Sequence, residues 1–118
     1  KTLATLKRCA QEIVDFGLDR RHEPVLAIGG GVLMDVVSLL SSLYKRRVPF
    51  IRIPTTLLGI VDASIGVKTG VNFGKNKNML GTYTPPKAVY IDTAFLRTVP
   101  ALHIRNGLCE IMKMALVK

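Results

Sequence analysis

With 118 residues the chain has room for one domain with a buried core, and 48% apolar content with only 6% aromatics describes a globular protein packed by aliphatic side chains. The formal charge of +9 admits nucleic acid, an acidic membrane surface or an anionic metabolite as partner. Its basic residues fall in short groups, Lys7 and Arg8, Arg20 and Arg21, Lys45 to Arg47, with no long run and no interleaved aromatics to stack bases, which argues against nucleic acid.

No apolar run reaches membrane-spanning length and no signal-like segment opens the sequence, so a soluble cytoplasmic protein is expected. Cys9 and Cys109 lie far apart without a CxxC spacing and read as buried thiols, not as zinc ligands or a disulfide. Opening on Lys1 and closing at Lys118 inside a helical pattern, the sequence reads as a fragment.

In chain order, Leu3, Leu6, Ala10, Ile13, Val14 and Phe16 recur at mostly helical spacing and predict a covering helix from residue 2 to about 18, stopped at Gly17 and carrying no evident chemistry. His22 falls in the polar connection that follows and is expected to be solvated. Val25 to Ile28 is a continuous apolar run of the kind found in buried parallel strands. Gly29, Gly30 and Gly31 come next, and Val32 to Tyr44 resumes a helical period. A strand, a glycine turn and a helix present unpaired N–H groups to an anion. The same glycines can also serve tight packing alone, and Met34 stands where a full GxGxxG fingerprint would put its third glycine.

Val48 to Ile53 predicts a second strand, ended by Pro54 before Thr55 and Thr56. Two hydroxyls at that edge sit either where open α/β sheets bind ligands or at the cap of a short helix from Leu57 to Val61. Residues Asp62 to Gly81 show neither helical nor strand period and concentrate Lys68, Lys75 and Lys77 among asparagines and glycines. Such a working loop suits a phosphorylated or carboxylated small molecule, the alternative being a solvated basic loop that holds nothing.

Thr82 to Pro86 predicts a turn, Ala88 to Ile91 a strand, and Asp92 or Thr93 a cap for a short helix. Alternating short strands and helices argue for the α/β class. The last segment, Ala101 to Lys118, is apolar round most of a helix and so is expected to be buried. His103, Asn106, Glu110 and Lys113 make one polar seam on it, facing a bound ion or ligand, another polar wall, or simply pairing Glu110 with Lys113.

Taken together, GGGVLMD, RIPTTLLGIVDASIGVKTGVN, KNMLGTY and NGLCEIMK, in that order, resemble the dehydroquinate synthase-like sugar phosphate cyclases over Val25 to Lys118. Leu33-Met34-Asp35, GVKTGVN and EIMKMA are closer to the sedoheptulose 7-phosphate cyclases, the 2-epi-5-epi-valiolone synthase type, than to dehydroquinate synthase itself. The resemblance implies a partial Rossmann-like NAD-binding domain over residues 1–100, running into the first helix of an α-helical metal and substrate domain at 101–118. It also implies NAD and a divalent metal, zinc or cobalt, as cofactors. NAD transiently oxidises a hydroxyl of a phosphorylated sugar, phosphate is eliminated, the carbonyl is reduced again and an aldol closure forms the ring.

Position by position, the resemblance implies that Gly30, Gly31, Val32, Asp35, Thr55, Thr56, Lys68, Lys77, Phe95 and Thr98 contact the cofactor, the last two at a strand end beneath the nucleotide. Asp62, Lys68 and Lys113 would be catalytic, Asn78, Lys77 and Arg46 would bind substrate, and Glu110 would bind the metal. Arg46 or Arg47 would reach a neighbouring subunit's site, which implies a homodimer. The family's other metal ligands are histidines of a following helical domain; His22 and His103 do not match them. The isolated chain is therefore expected not to turn over substrate. Dehydroquinate synthase, and a nucleotide- or phosphate-binding module without turnover, are the alternative readings.

Overall fold

The computed structural model describes residues 1–117. Three parallel strands form a sheet in the order β1-β2-β5: β1 spans Val25–Gly29, β2 Phe50–Pro54 and β5 Ala88–Val89. Val25 pairs with Phe50 and Gly29 with Pro54, so β1 and β2 end level, and Ile51 pairs with Ala88. The expected α/β class is thus observed, with β5 shorter than the predicted strand and β2 starting at Phe50 instead of Val48.

Helix α2, Gly31–Leu43, is the centre of the packing. Met34 and Val37 pack on Ala27 of β1, while Val36 and Leu39 turn towards Val71 and towards Leu6 of helix α1, Leu3–Phe16. Each fully buried aliphatic side chain contributes about 1.5–3 kcal/mol, so these few contacts fix where α2 sits on the sheet. Helix α1 begins at Thr2, whose hydroxyl accepts from the Thr5 N–H at 3.2 Å, and ends at Gly17 in the left-handed conformation. Among the described residues no helix is long and apolar enough to cross a membrane.

Three expectations need correction. The Val25–Ile28 run is covered on one side only: Ala27 is buried beneath α2, but Leu26 and Ile28 are about half exposed, at 53% and 51%. A continuous apolar strand needs helices on both faces, and the described residues supply one. Helix α3, Ala101–Leu116, is likewise not a buried helix. Gly107 is its one buried residue, and Leu108, Met112 and Leu116 face outwards, as does Cys109. The predicted end of this helix at Lys118 lies outside the described residues.

Residues 62–81 are more regular than their sequence suggests. Asp62 belongs to a π-helical segment, Gly59–Ala63, and the rest holds an antiparallel hairpin of β3, Val71–Phe73, and β4, Asn76–Leu80, turning at Gly74 and Lys75. Asparagine, lysine and glycine hide the strand period because most of β4 faces solvent and needs no apolar face.

Helix α3 approaches the body of the fold closely at Gly107. A Cβ on Gly107 would lie 2.5 Å from Leu57 Cγ and 2.6 Å from Leu57 Cβ, so only glycine lets the two backbones approach this closely. Gly107→Val is expected to destabilise the α3 contact by about 1–3 kcal/mol, the usual range for overpacking. Circular dichroism melting, with limited proteolysis cutting first within α3, checks this.

Candidate functional site

The C-terminal ends of β1 and β2 and the N-terminus of α2 open on a cleft of about 870 Å³. Gly30 precedes α2 and brings no capping side chain, leaving the first-turn N–H groups of Gly31 and Val32 open towards it. A Cβ on Gly30 would come within 3.4 Å of Thr56 Cγ2, so the missing side chain is what keeps this wall accessible. Here the helix macrodipole and unpaired amides favour negative charge.

Asp35 lies one turn along α2 on the same wall, with Lys1 Nζ bound to its carboxylate. From the other side come Thr56, Asp62, Lys68 and Asn78. Thr56 lines the cleft, and its hydroxyl accepts from the Gly59 N–H at 3.1 Å as the cap of the helical turn. Asn78 adopts a left-handed backbone at φ 55, its N–H donating to Asn72 Oδ1. A chain of hydroxyls, Thr69 and Thr82 at 2.9 Å and Thr82 to Ser42 at 3.0 Å, ties this side of the cleft to α2. The polar seam of α3 divides. His103 and Asn106 line the cleft, whereas Glu110 and Lys113 form an ion pair with each other outside it.

Several anticipated residues are not brought to this wall. Thr55 uses its N–H on the Gly29 carbonyl, at 2.9 Å, to extend the β1–β2 ladder. Lys77 is exposed on β4. Phe95 and Thr98 lie not at a strand end but in a 3₁₀ turn, Thr93–Thr98, where the Thr98 hydroxyl donates to the Phe95 carbonyl; Asp92 caps that turn as expected. Arg46 and Arg47 follow α2, with φ of 62 and 102, so they stand about 20 Å from the cleft across the 13 residues of that helix. His22 pairs with Asp19 in solvent, as anticipated, and the Arg21 N–H together with His22 holds the Asp19 carboxyl below its usual range.

Two features were not anticipated from the sequence. Helix α1, expected to carry no chemistry, lines the cleft with Thr5, Arg8 and Cys9. Their spacing of three and four puts them on one helical face, which was visible in the sequence. The second is Arg52, read there only as part of a strand and in fact fully buried. Its position is a core position by alternation with Phe50 and Pro54, so a charge there was the available sign.

Comparison with known proteins places this geometry. Residues 1–106 match the family described as 3-dehydroquinate synthase N-terminal. The chain belongs to that family. It is 58% identical over all 118 residues to a 2-epi-5-epi-valiolone synthase of Streptomyces albus, of which it spans 29%. Among solved structures it matches the 2-epi-5-epi-valiolone synthase of Streptomyces hygroscopicus subsp. jinggangensis 5008, determined with NAD+ and Zn2+ bound, at TM-score 0.96 and 56% identity, covering 99% of this chain and 32% of that one. A 2-deoxy-scyllo-inosose synthase complexed with carbaglucose-6-phosphate, NAD+ and Co2+ matches at TM-score 0.90 and 33% identity, over 96% of this chain and 30% of that one. This family member therefore spans about 30% of the length of the relatives it matches.

The cleft of the family member fits a dinucleotide by its open amides and absent side chains. A metal fits less well. Glu110 is one carboxylate already paired with Lys113, and among the described residues no three of His, Cys, Asp and Glu gather, short of the ligands zinc takes.

Proposed function

We propose that this chain is the cofactor-binding part of a sugar phosphate cyclase acting on sedoheptulose 7-phosphate, with residues 101–117 opening a helical substrate domain. The whole-chain match to 2-epi-5-epi-valiolone synthases, at 58% identity in sequence and TM-score 0.96 in structure, carries the reading. In it, Gly30, Gly31 and Val32 hold the NAD phosphates on open amides, with Asp35 and Thr56 beside them. Bound NAD supplies a reversible hydride acceptor.

Asp62 takes the proton of the substrate hydroxyl as it is oxidised and returns it on reduction. Lys68 and Asn78 bind the phosphate, the lysine stabilising the charge that grows on it as it leaves. The net charge of +9 favours the approach of such an anion. Arg46, at the far end of α2 from its own cleft, serves the cleft of a second copy in a homodimer. Reduced Cys9 and Cys109 fit a cytoplasmic setting.

The test is a chimera in which residues 1–117 replace the matching segment of the S. hygroscopicus enzyme, supplied with NAD and zinc. Release of phosphate from sedoheptulose 7-phosphate, with none from the heptulosonate phosphate used by dehydroquinate synthases, is the expected result. A folded chimera that binds NAD but releases no phosphate from either would leave only a binding module.

A further inference from the structure

Among the described residues, Arg52 is the one charged residue of the largest fully buried side chains. Its Nε and Nη2 donate to Ser38 Oγ on α2 at 3.0 and 2.8 Å, and its Nη1 donates to the carbonyls of Ser64 at 3.2 Å and Gly66 at 2.5 Å. Among the described residues no carboxylate is in ion-pair contact with it; burial pushes the guanidinium down from its usual range, and the Asp35 charge offsets part of this. An apolar side chain of matching volume would serve the core as well or better, because a buried cation without a paired anion is costly to desolvate. The planar fork instead fixes geometry, gripping three acceptors on two separate elements.

Those acceptors have a particular place in the chain. Ser64 and Gly66 follow the helical turn that ends at Ala63, where unpaired carbonyls and the negative end of the helix attract a cation. Asp62 lies two residues before Ser64, and Lys68 two residues after Gly66. The Gly66 N–H closes the segment on the Asp62 carbonyl at 3.1 Å.

We propose that Arg52 is a positioning residue: from β2, between the sheet and α2, it clamps the Ser64 and Gly66 carbonyls to α2, setting the distance between the carboxylate of Asp62 and the amine of Lys68 on the cleft wall opposite the α2 N-terminus. The catalytic consequence rests on the function proposed above; the clamp itself does not. Misplacing reacting groups by about 1 Å can cost about 100-fold in rate with binding little changed.

Two measurements test it, on Arg52→Gln, which keeps donors but loses the fork, and Arg52→Lys, which keeps the charge. In the 118-residue chain, amide hydrogen exchange over residues 57–69 is expected to rise by about tenfold or more, while the amides of β1 and β2 stay protected, since local and global openings exchange separately. In the chimera, kcat for phosphate release should fall about 100-fold for Arg52→Gln and less for Arg52→Lys, with KM and NAD affinity nearly unchanged. Exchange that stays at the unsubstituted rate, or rises equally throughout the chain, overturns the clamp. A normal kcat in a folded variant overturns its catalytic role. An unsubstituted chimera that releases no phosphate would count against the proposed function, and the exchange result would still decide the clamp.

Discussion

Asp62→Asn, introduced into the chimera, is expected to lower kcat for phosphate release by about 10²–10⁴-fold, the usual worth of a positioned proton acceptor. Asparagine matches aspartate in shape and keeps a carbonyl oxygen towards the cleft, so the loss isolates the proton from the packing. The main-chain bond from the Gly66 N–H to the Asp62 carbonyl is untouched by the change, and so is the Thr56 cap of the turn. Stability should therefore hold. NAD affinity should hold as well, because Asp62 faces the α2 amides across the cleft without supplying them. Steady-state kinetics beside calorimetric titration of NAD separates the cases: equal loss of binding and turnover would make Asp62 a structural residue, and unchanged turnover would remove it from the proton path.

Asp62 also shows where a sequence can be read and where it cannot. Its identity as a candidate came from motif order, but its secondary structure did not, since a π-helical segment bounded by Gly59 and Ala63 has no periodicity to detect in five residues. The strand-turn-helix around Gly29 to Gly31 was legible for the opposite reason. An apolar strand, glycines and a long helical period are each local, and they agree with one another. Helix α3 misled because periodicity reports an apolar face and not whether anything covers it; among the described residues its apolar side chains are exposed, in a chain about three times shorter than its relatives.

Arg52 was illegible as a working residue for another reason. Nothing in FIRIP says that the side chain crosses under α2 to carbonyls twelve and fourteen residues later. The same holds for Thr5, Arg8 and Cys9, which reach the cleft through the packing of α1, where Leu6 sits against Val36, Leu39 and Val71. Residues whose role depends on tertiary approach appear in sequence as ordinary members of their element. Lys77 and Phe95 are the converse case, motif positions that the described fold leaves outside the cleft wall.

Gly31→Val should leave the fold standing and weaken NAD binding by about 100-fold. A Cβ at Gly31 would meet Ala63 Cβ at 3.5 Å, an ordinary contact, and valine costs only a few tenths of a kcal/mol in the first turn of a helix. The added methyls would instead stand in the cleft beside the open amides of Gly31 and Val32, holding a phosphate away from them. Each hydrogen bond to a charged group is worth about 1.5–3 kcal/mol, so losing one or two gives the stated loss at about 1.4 kcal/mol per tenfold. Thr56→Ala makes the contrast: it removes the cap on the helical turn and should cost about 1 kcal/mol of stability, seen as a lower melting temperature. Calorimetric titration of NAD into the 118-residue chain, with thermal melts of both variants, tells the two effects apart. A Gly31→Val variant that binds NAD as tightly as the unsubstituted chain would mean that the dinucleotide does not lie on the N-terminus of α2, and the assignment of the cleft would fall with it.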